Sequence, residues 1–238
     1  MGFKSTQDRC FALLPCAGVG ARAGADAALP KQYRLVAGLP MVRHALDAFA
    51  QVPRLQQTLV VVAPGDGFLR RANAPCLLAD CGGATRAESV YNGLTHWLAH
   101  GARPQDWILV HDAARCLITP GQINALIDAC LPDAVGGLLA LPLPDTLKQA
   151  DSAHRVAQTL ERAGKWLAQT PQMFRLGSLH AALRAHARTG FAGITDEASA
   201  IELAGHKPLL VAGSAQNFKV TYPEDFSLAE AVLRSRTP

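Results

Sequence analysis

The sequence is short of the features that mark several common protein classes. Its six cysteines, Cys10, Cys16, Cys76, Cys81, Cys116 and Cys130, are scattered, and no two form a Cys-x-x-Cys pair. Its histidines show no metal-ligand spacing. A structural zinc site is therefore not expected, and thiols in apolar surroundings fit a reducing compartment. No apolar run approaches the roughly 20 residues that cross a bilayer. The segment Met1 to Arg9 is short and polar, without the apolar centre of a secretory leader. No membrane association is expected, and the cytoplasm is the expected location. Aromatic residues make up only 6% and the net charge is +4 with no basic tract, so nucleic acid is not an expected partner. There is no Ser/His/Asp set, no activated cysteine context and no pair of carboxylates at general-base spacing. Internal repeats and low-complexity segments are also missing. The last predicted helix ends near the final residue, so no fused second enzyme is expected after it.

What is present is enough apolar material for a substantial core. Hydrophobic residues make up 49% of 238 and charged residues 18%, which suits one large domain spanning 1–238. Buried strands read at Cys10 to Leu14, Thr58 to Ala63, Cys76 to Ala79, Trp107 to Val110, Ala134 to Leu141 and Pro208 to Val211. Helical spacing reads at Met41 to Phe49, Glu88 to Ala99, Pro120 to Cys130, Leu176 to Arg188 and Glu197 to Ala204. A last helix opens at Thr221-Tyr222-Pro223-Glu224, with the threonine as cap, and runs to Arg234. Strands alternating with helices predict an α/β fold with a mostly parallel sheet and right-handed crossovers. Between about Pro142 and Pro171 the rhythm breaks, and an extended β-arm that leaves the sheet is expected there. Unpaired edges on such an arm invite a second copy of the chain.

The chemistry is expected where strands end. After the first strand comes Pro15-Cys16-Ala17-Gly18-Val19-Gly20-Ala21-Arg22, with Pro30-Lys31-Gln32 beyond it. Small residues expose backbone N–H groups, and Arg22 and Lys31 add positive charge, so the loop can cradle a phosphate. No Gly-Lys-Ser/Thr follows, and the third glycine is misplaced for a dinucleotide fingerprint. Gly82-Gly83-Ala84-Thr85-Arg86-Ala87-Glu88-Ser89 opens a helix, where close approach to a base or ribose is possible. His111-Asp112-Ala113-Ala114-Arg115 ends the Trp107 strand, with a carboxylate able to meet Mg²⁺ directly or through water and an arginine able to clamp phosphate. Each piece also has a plainer reading: a tight turn, an Asp–Arg pair closing a loop, or, at Asp196, a helix cap. Lys219 lies in a β-like run, where an inward lysine needs an anion. Gly loops, cations and one placed carboxylate suit a reaction whose nucleophile is already ionised, with positioning and charge stabilisation as the catalysis.

These motifs occur in order with Asp145-Thr146-Leu147-Lys148, Thr170-Pro171-Gln172, Ile194-Thr195-Asp196-Glu197-Ala198 and Lys219-Val220-Thr221-Tyr222-Pro223-Glu224-Asp225. Together they resemble the 2-C-methyl-D-erythritol 4-phosphate cytidylyltransferase family of non-mevalonate isoprenoid biosynthesis, from Phe11 to about Leu233. The resemblance implies a Rossmann-like sheet of the nucleotide-diphospho-sugar transferase type, with a protruding β-arm for dimerisation. It implies that Arg22, Lys31 and Lys219 are catalytic, gripping phosphates and stabilising a pentacoordinate transition state. It implies that Cys16, Ala17, Gly18, Gly83, Arg86, Ser89, Asp112 and Ala113 bind CTP. Arg115, Thr146, Arg162, Thr170, Thr195 and Lys219 would receive the polyol phosphate, some of them from the partner subunit's arm. Mg²⁺ would be held mainly by the CTP phosphates, with no residue assigned as a metal ligand. The chain departs from the family pattern at Ala21 (for a basic residue), Ala84 (for an acidic one), Cys116 (for a proline) and in the longer segment Ala23 to Pro30. The same inventory also suits a cytidylyltransferase of another polyol phosphate, such as ribitol 5-phosphate, or a nucleotide-binding module without turnover.

Overall fold

The computed structural model describes residues 8–18, 29–72 and 74–236. In chain order the elements are β1 (Cys10–Pro15), β2 (Leu35–Val36), β3 (Leu39–Pro40), α1 (Met41–Ala50), β4 (Leu55–Val61), α2 (Phe68–Arg71), β5 (Leu77–Ala79), α3 (Arg86–Ala99), β6 (Trp107–Val110) and α4 (Pro120–Cys130). They continue with β7 (Gly136–Pro142), β8 (Leu147–Ala150), β9 (Val156–Leu160), β10 (Trp166–Arg175), α5 (Leu176–His186), α6 (Glu197–Leu203), β11 (Leu209–Ala212) and α7 (Pro223–Ser235).

Seven strands form one sheet in the order β11-β7-β10-β6-β1-β4-β5. Its neighbours pair in parallel, except that β10 runs antiparallel to both β6 and β7. Strand side chains alternate between the two faces. Ala12, Leu14, Val60 and Leu109 pack on one side with Val42, Leu46, Ile123 and Leu126 of α1 and α4. Leu13, Val61, Ile108 and Val110 pack on the other with Val90, Leu94, Leu179 and Ile201 of α3, α5 and α6. Both faces are covered, which is why these strands read as continuous apolar runs. A third cluster places α7 against Val36, Met41, Cys116 and Val220. Cys116 is buried there as an apolar side chain, and burial pushes its thiol up to about 12.

Two readings need correction. The arm was expected to extend to Pro171, but β10 begins at Trp166 and crosses the central sheet. Outside the sheet lies an exposed hairpin of β8 and β9, paired Leu147↔Leu160 and Lys148↔Thr159. Nor does Thr221 cap α7 with its hydroxyl, which instead donates to the Lys219 carbonyl at 3.0 Å. The Asp225 carboxylate accepts from the Thr221 and Tyr222 N–H groups at 2.7 and 2.8 Å.

The topology decides where a ligand can sit. Parallel β1, β4, β5 and β6 end at one edge of the sheet, the usual ligand edge of an open α/β fold. Antiparallel β10 enters the sheet at that same edge, so Gln169 and Thr170 arrive beside the loops that follow β1, β5 and β6.

Candidate active site

The loop after β1 is fixed from both sides. The Cys16 N–H donates to the Val61 carbonyl at 2.7 Å, and Gln32 Nε2 donates to the Cys16 carbonyl at 2.9 Å. Gln32 lies on a short 3-10 turn, Lys31–Tyr33, that also carries Lys31. The loop after β5 comes so close that a Cβ on Gly82 would run into Ala17 Cβ and lie 2.8 Å from the Val62 carbonyl oxygen. Only a glycine lets the two loops meet here. Thr85 caps α3 by accepting from the Glu88 N–H at 3.0 Å, and the Glu88 carboxylate accepts from the Ala84 N–H at 2.7 Å. Ser89 is buried; its hydroxyl donates to the Thr85 carbonyl at 2.9 Å and accepts from the Gly83 N–H at 3.0 Å. Its only proton is thus committed to the loop.

These loops enclose a cavity of about 470 Å³, within the range of small-molecule sites. Its walls are Pro15 to Gly18, Lys31 and Gln32, Gly83 to Arg86, Ser89, Asp112 to Ala114, and Lys219. A second cavity of about 270 Å³ is lined by Arg115, Ala168 to Thr170, Gln172, Thr195 and Asp196. Arg86, Asp112 and Lys219 line both. The two spaces therefore share one charged wall.

That wall is a chain of ion pairs. Asp112 accepts from Arg86 Nε on one carboxylate oxygen and from Lys219 Nζ on the other, each at 2.7 Å. Arg86 turns its remaining two nitrogens to Glu197, at 2.7 and 3.0 Å. Burial alone would raise the Asp112 pKa, but Arg86 and Lys219 outweigh it and hold the carboxyl far below the usual range. Burial opposes the charge on Arg86 too, and Asp112 with Glu197 outweigh that and raise it. Behind the wall sits His111, fully buried. Its Nε2 faces the Arg115 carbonyl at 3.0 Å and must donate, so Nδ1 accepts from the Thr170 hydroxyl at 3.0 Å. Thr170 Oγ1 accepts in turn from the Asp112 N–H, also at 3.0 Å. Burial pushes His111 down to about 4, leaving it neutral near pH 7.

The structure thus brings Cys16, Ala17, Gly18, Lys31, Gly83, Arg86, Ser89, Asp112, Ala113 and Lys219 around the larger cavity, and Arg115, Thr170 and Thr195 around the smaller. Arg22 lies outside the described residues. Thr146 and Arg162 are exposed at the root of the arm and line neither cavity. Cys16 contributes backbone; its thiol is buried and its pKa is raised by that burial. Arg115 donates to the carbonyls of Asn217 and Ala168 at 2.6 and 3.2 Å, while its buried Nε has no hydrogen-bond partner among the described residues. Lys31 Nζ donates to the Val220 carbonyl at 2.6 Å. Lys219, expected to need an anion, has one in Asp112. Sequence reasoning passed over Glu197, read only as part of a helix start, and the buried amides Gln169, Gln172 and Asn217. A glutamate at the first position of a helix reads as an exposed dipole partner, and only its 2% exposure demands a cation.

Among the described residues, no group of three His, Cys, Asp or Glu side chains could hold a metal ion, and no helix is long and apolar enough to cross a membrane. Comparison with known proteins agrees with the geometry. Residues 10–235 match the family described as IspD: 2-C-methyl-D-erythritol 4-phosphate cytidylyltransferase. A 2-C-methyl-D-erythritol 4-phosphate cytidylyltransferase from Ralstonia nicotianae is 51% identical over 97% of this chain and 94% of its own. A bifunctional enzyme IspD/IspF from Albidiferax ferrireducens is 64% identical over 98% of this chain, which spans 54% of that relative's length. Among solved structures, a 4-diphosphocytidyl-2C-methyl-D-erythritol synthase superposes with a TM-score of 0.83 at 39% identity, covering 95% of this chain and 99% of the other. The Francisella tularensis 2-C-methyl-D-erythritol 4-phosphate cytidylyltransferase superposes with a TM-score of 0.80 at 32% identity, covering 94% and 99%. With its paired cavities on the strand-end edge and this match across nearly all its length, the chain belongs to the 2-C-methyl-D-erythritol 4-phosphate cytidylyltransferase family.

Proposed function

We propose that this chain transfers a cytidylyl group from CTP to 2-C-methyl-D-erythritol 4-phosphate, giving 4-diphosphocytidyl-2-C-methyl-D-erythritol and pyrophosphate. The observation that carries this reading is the shared wall of Arg86, Asp112 and Lys219 between two adjoining cavities. A nucleotide in the larger space and a phosphorylated polyol in the smaller would meet at that wall. The acceptor phosphate is ionised near pH 7, so its oxygen attacks the α-phosphorus without losing a proton. The P–O bond to the β-phosphate breaks, and pyrophosphate leaves with the electron pair. No general base is needed, in keeping with a neutral buried His111 and an Asp112 held permanently ionised.

What the reaction does need is two anions brought together. Lys31 and Lys219, joined by Arg22, neutralise the triphosphate and the charge that builds on the equatorial oxygens of the transition state. Backbone N–H groups of Ala17 and Gly18 receive phosphate oxygens, and the loop around Gly83 and Ser89 holds the base. Arg115 and the Thr195 loop receive the acceptor phosphate. Thr170 acts from behind: its hydroxyl proton serves His111, so it fixes the Asp112 backbone rather than donating to a substrate. Thr146 and Arg162 complete the acceptor cavity of the partner subunit in a homodimer joined through the arm.

A magnesium ion held by side chains does not fit, because both Asp112 oxygens already face cations at 2.7 Å and, among the described residues, no second carboxylate lines the larger cavity. An ion carried on the triphosphate would need no side-chain ligand from the chain. The expected compartment is the cytoplasm, where CTP is available. The test is pyrophosphate release from CTP and Mg²⁺ with methylerythritol phosphate and ribitol 5-phosphate offered separately. Release with the first alone supports the reading. Release with ribitol 5-phosphate alone overturns the acceptor, and silence with both overturns the reaction.

A further inference from the structure

The Glu197 carboxylate touches neither cavity, yet it is the far anchor of the charged wall. It is 2% exposed and holds Arg86 through two bonds, at 2.7 and 3.0 Å. Arg86 in turn holds one oxygen of Asp112, whose other oxygen holds Lys219. The anchor is itself fixed. Gln172, buried in β10, accepts from the Ala198 N–H at 2.7 Å and donates to Asp196 at 2.8 Å, which pins the first turn of α6 to the central sheet. Asp196 caps that turn by accepting from the Ser199 N–H at 2.9 Å. Thr195, two residues before Glu197, lines the smaller cavity; Arg86 opens α3 directly after the loop that lines the larger one.

From this arrangement we infer that Glu197 is a positioning residue for the reaction: acting through Arg86, it aims Asp112 and Lys219 and ties the acceptor-side loop to the nucleotide-side loop. An arginine held by one carboxylate alone can pivot about that contact. A two-point fork on the opposite side removes the pivot, because a planar guanidinium engaged at three nitrogens has one orientation. The role rests on the proposed cytidylyl transfer, and it assigns the orientation of the shared wall to a residue outside both substrates' reach. Positioning of this kind acts on the transition state, so its loss lowers kcat more than it raises either KM.

The experiment is a double-mutant cycle on pyrophosphate release, with Glu197→Gln, Arg86→Met and the double variant, each first shown to be folded by thermal melting. Expected for Glu197→Gln is a fall in kcat of about 10–100-fold with both KM values within about threefold of wild type. The double variant is expected to be no slower than Arg86→Met, since Glu197 has no route to the site once Arg86 is gone. If Glu197→Gln does not fold, Glu197→Asp keeps the buried charge while shortening the fork, and a kcat loss of about tenfold is expected from it. Wild-type kcat in the folded variant, or losses that multiply in the double variant, would overturn the inference. A wild-type chain that releases no pyrophosphate with any acceptor would overturn the proposed function, and this inference with it.

Discussion

Lys219 reaches Asp112 at 2.7 Å on the carboxylate oxygen that Arg86 leaves open. The pair joins the segment between β11 and α7 to the end of β6, positions 107 apart in sequence. Among the described residues, Arg86 meets a second carboxylate and the Lys219 ammonium meets Asp112 alone. Lys219 can therefore lean toward a phosphate while Asp112 keeps it in place. Lys219→Ala should lower kcat by roughly 100–1000-fold, the effect of removing one charge-assisted contact from a transition state. Stability should change little, because Lys219 is 38% exposed and Asp112 retains Arg86. Steady-state kinetics with a thermal melt would check both, and an undiminished kcat would remove Lys219 from the mechanism.

Much of this arrangement was legible because its causes are local. The apolar run Trp107 to Val110 and the helical spacing of Pro120 to Cys130 correspond residue for residue to β6 and α4. Strand β10 was not legible, for a physical reason. Gln169, Thr170 and Gln172 look like loop residues, and Pro171 argues against a central strand. In the structure the β10–β7 register shifts between Ala168 and Gln172, which accommodates the proline. The polar side chains are buried because partners far away in sequence meet them: Ser214 for Gln169, His111 for Thr170, and Asp196 for Gln172. Glu197 was missed likewise, since its need for Arg86 is set by burial, which periodicity in a short helix does not show.

The two adjacent glycines of the β5–α3 loop should respond differently to alanine. At Gly82 an added Cβ meets Ala17 Cβ and the Val62 backbone, neither of which can swing away. At Gly83 it meets Glu88, whose outer side-chain atoms can rotate away but whose Cβ, 2.6 Å off, is fixed by the α3 backbone. Gly82→Ala should push the loops after β1 and β5 apart, weakening CTP binding by at least tenfold and destabilising the fold by about 1–3 kcal/mol. Gly83→Ala should instead displace the first turn of α3, with the contact between Glu88 and the Ala84 N–H, and leave the loop after β1 in place. Calorimetric CTP titration and urea unfolding would check both variants; unchanged CTP affinity in Gly82→Ala would contradict the close approach of the loops.

His111 gives the fold a built-in acid sensitivity. Its folded pKa is lowered from 6.5 to about 4 by burial, so between those values the unfolded chain binds a proton that the folded chain refuses. Stability from this group is complete above about pH 6.5 and is lost as pH falls toward 4, with a total of about 3 kcal/mol. His111→Gln keeps an acceptor and a donor without a titrating ring. The difference in unfolding free energy between wild type and His111→Gln should be flat above pH 7 and should move against wild type on acidification. Parallel curves from pH 7 to 4 would mean that the ring is not held neutral.

The last prediction concerns the arm. Arg162 is exposed at its root and donates to the Pro144 carbonyl, and Val156, Trp166 and Leu167 on and beside the arm are also exposed. If Thr146 and Arg162 complete the partner subunit's acceptor cavity, a defect in Arg162 acts on the other chain's site, whereas a defect in Lys219 acts on its own. Arg162→Ala and Lys219→Ala should each be nearly inactive as homodimers. Mixed and allowed to exchange subunits, they form heterodimers in which one site carries both defects and the other carries neither. Random exchange makes half of all dimers mixed and half of their sites intact, so activity should recover to about a quarter of wild type. No recovery, with subunit exchange verified by differently tagged chains, would place Arg162 in its own subunit's site or outside the reaction altogether.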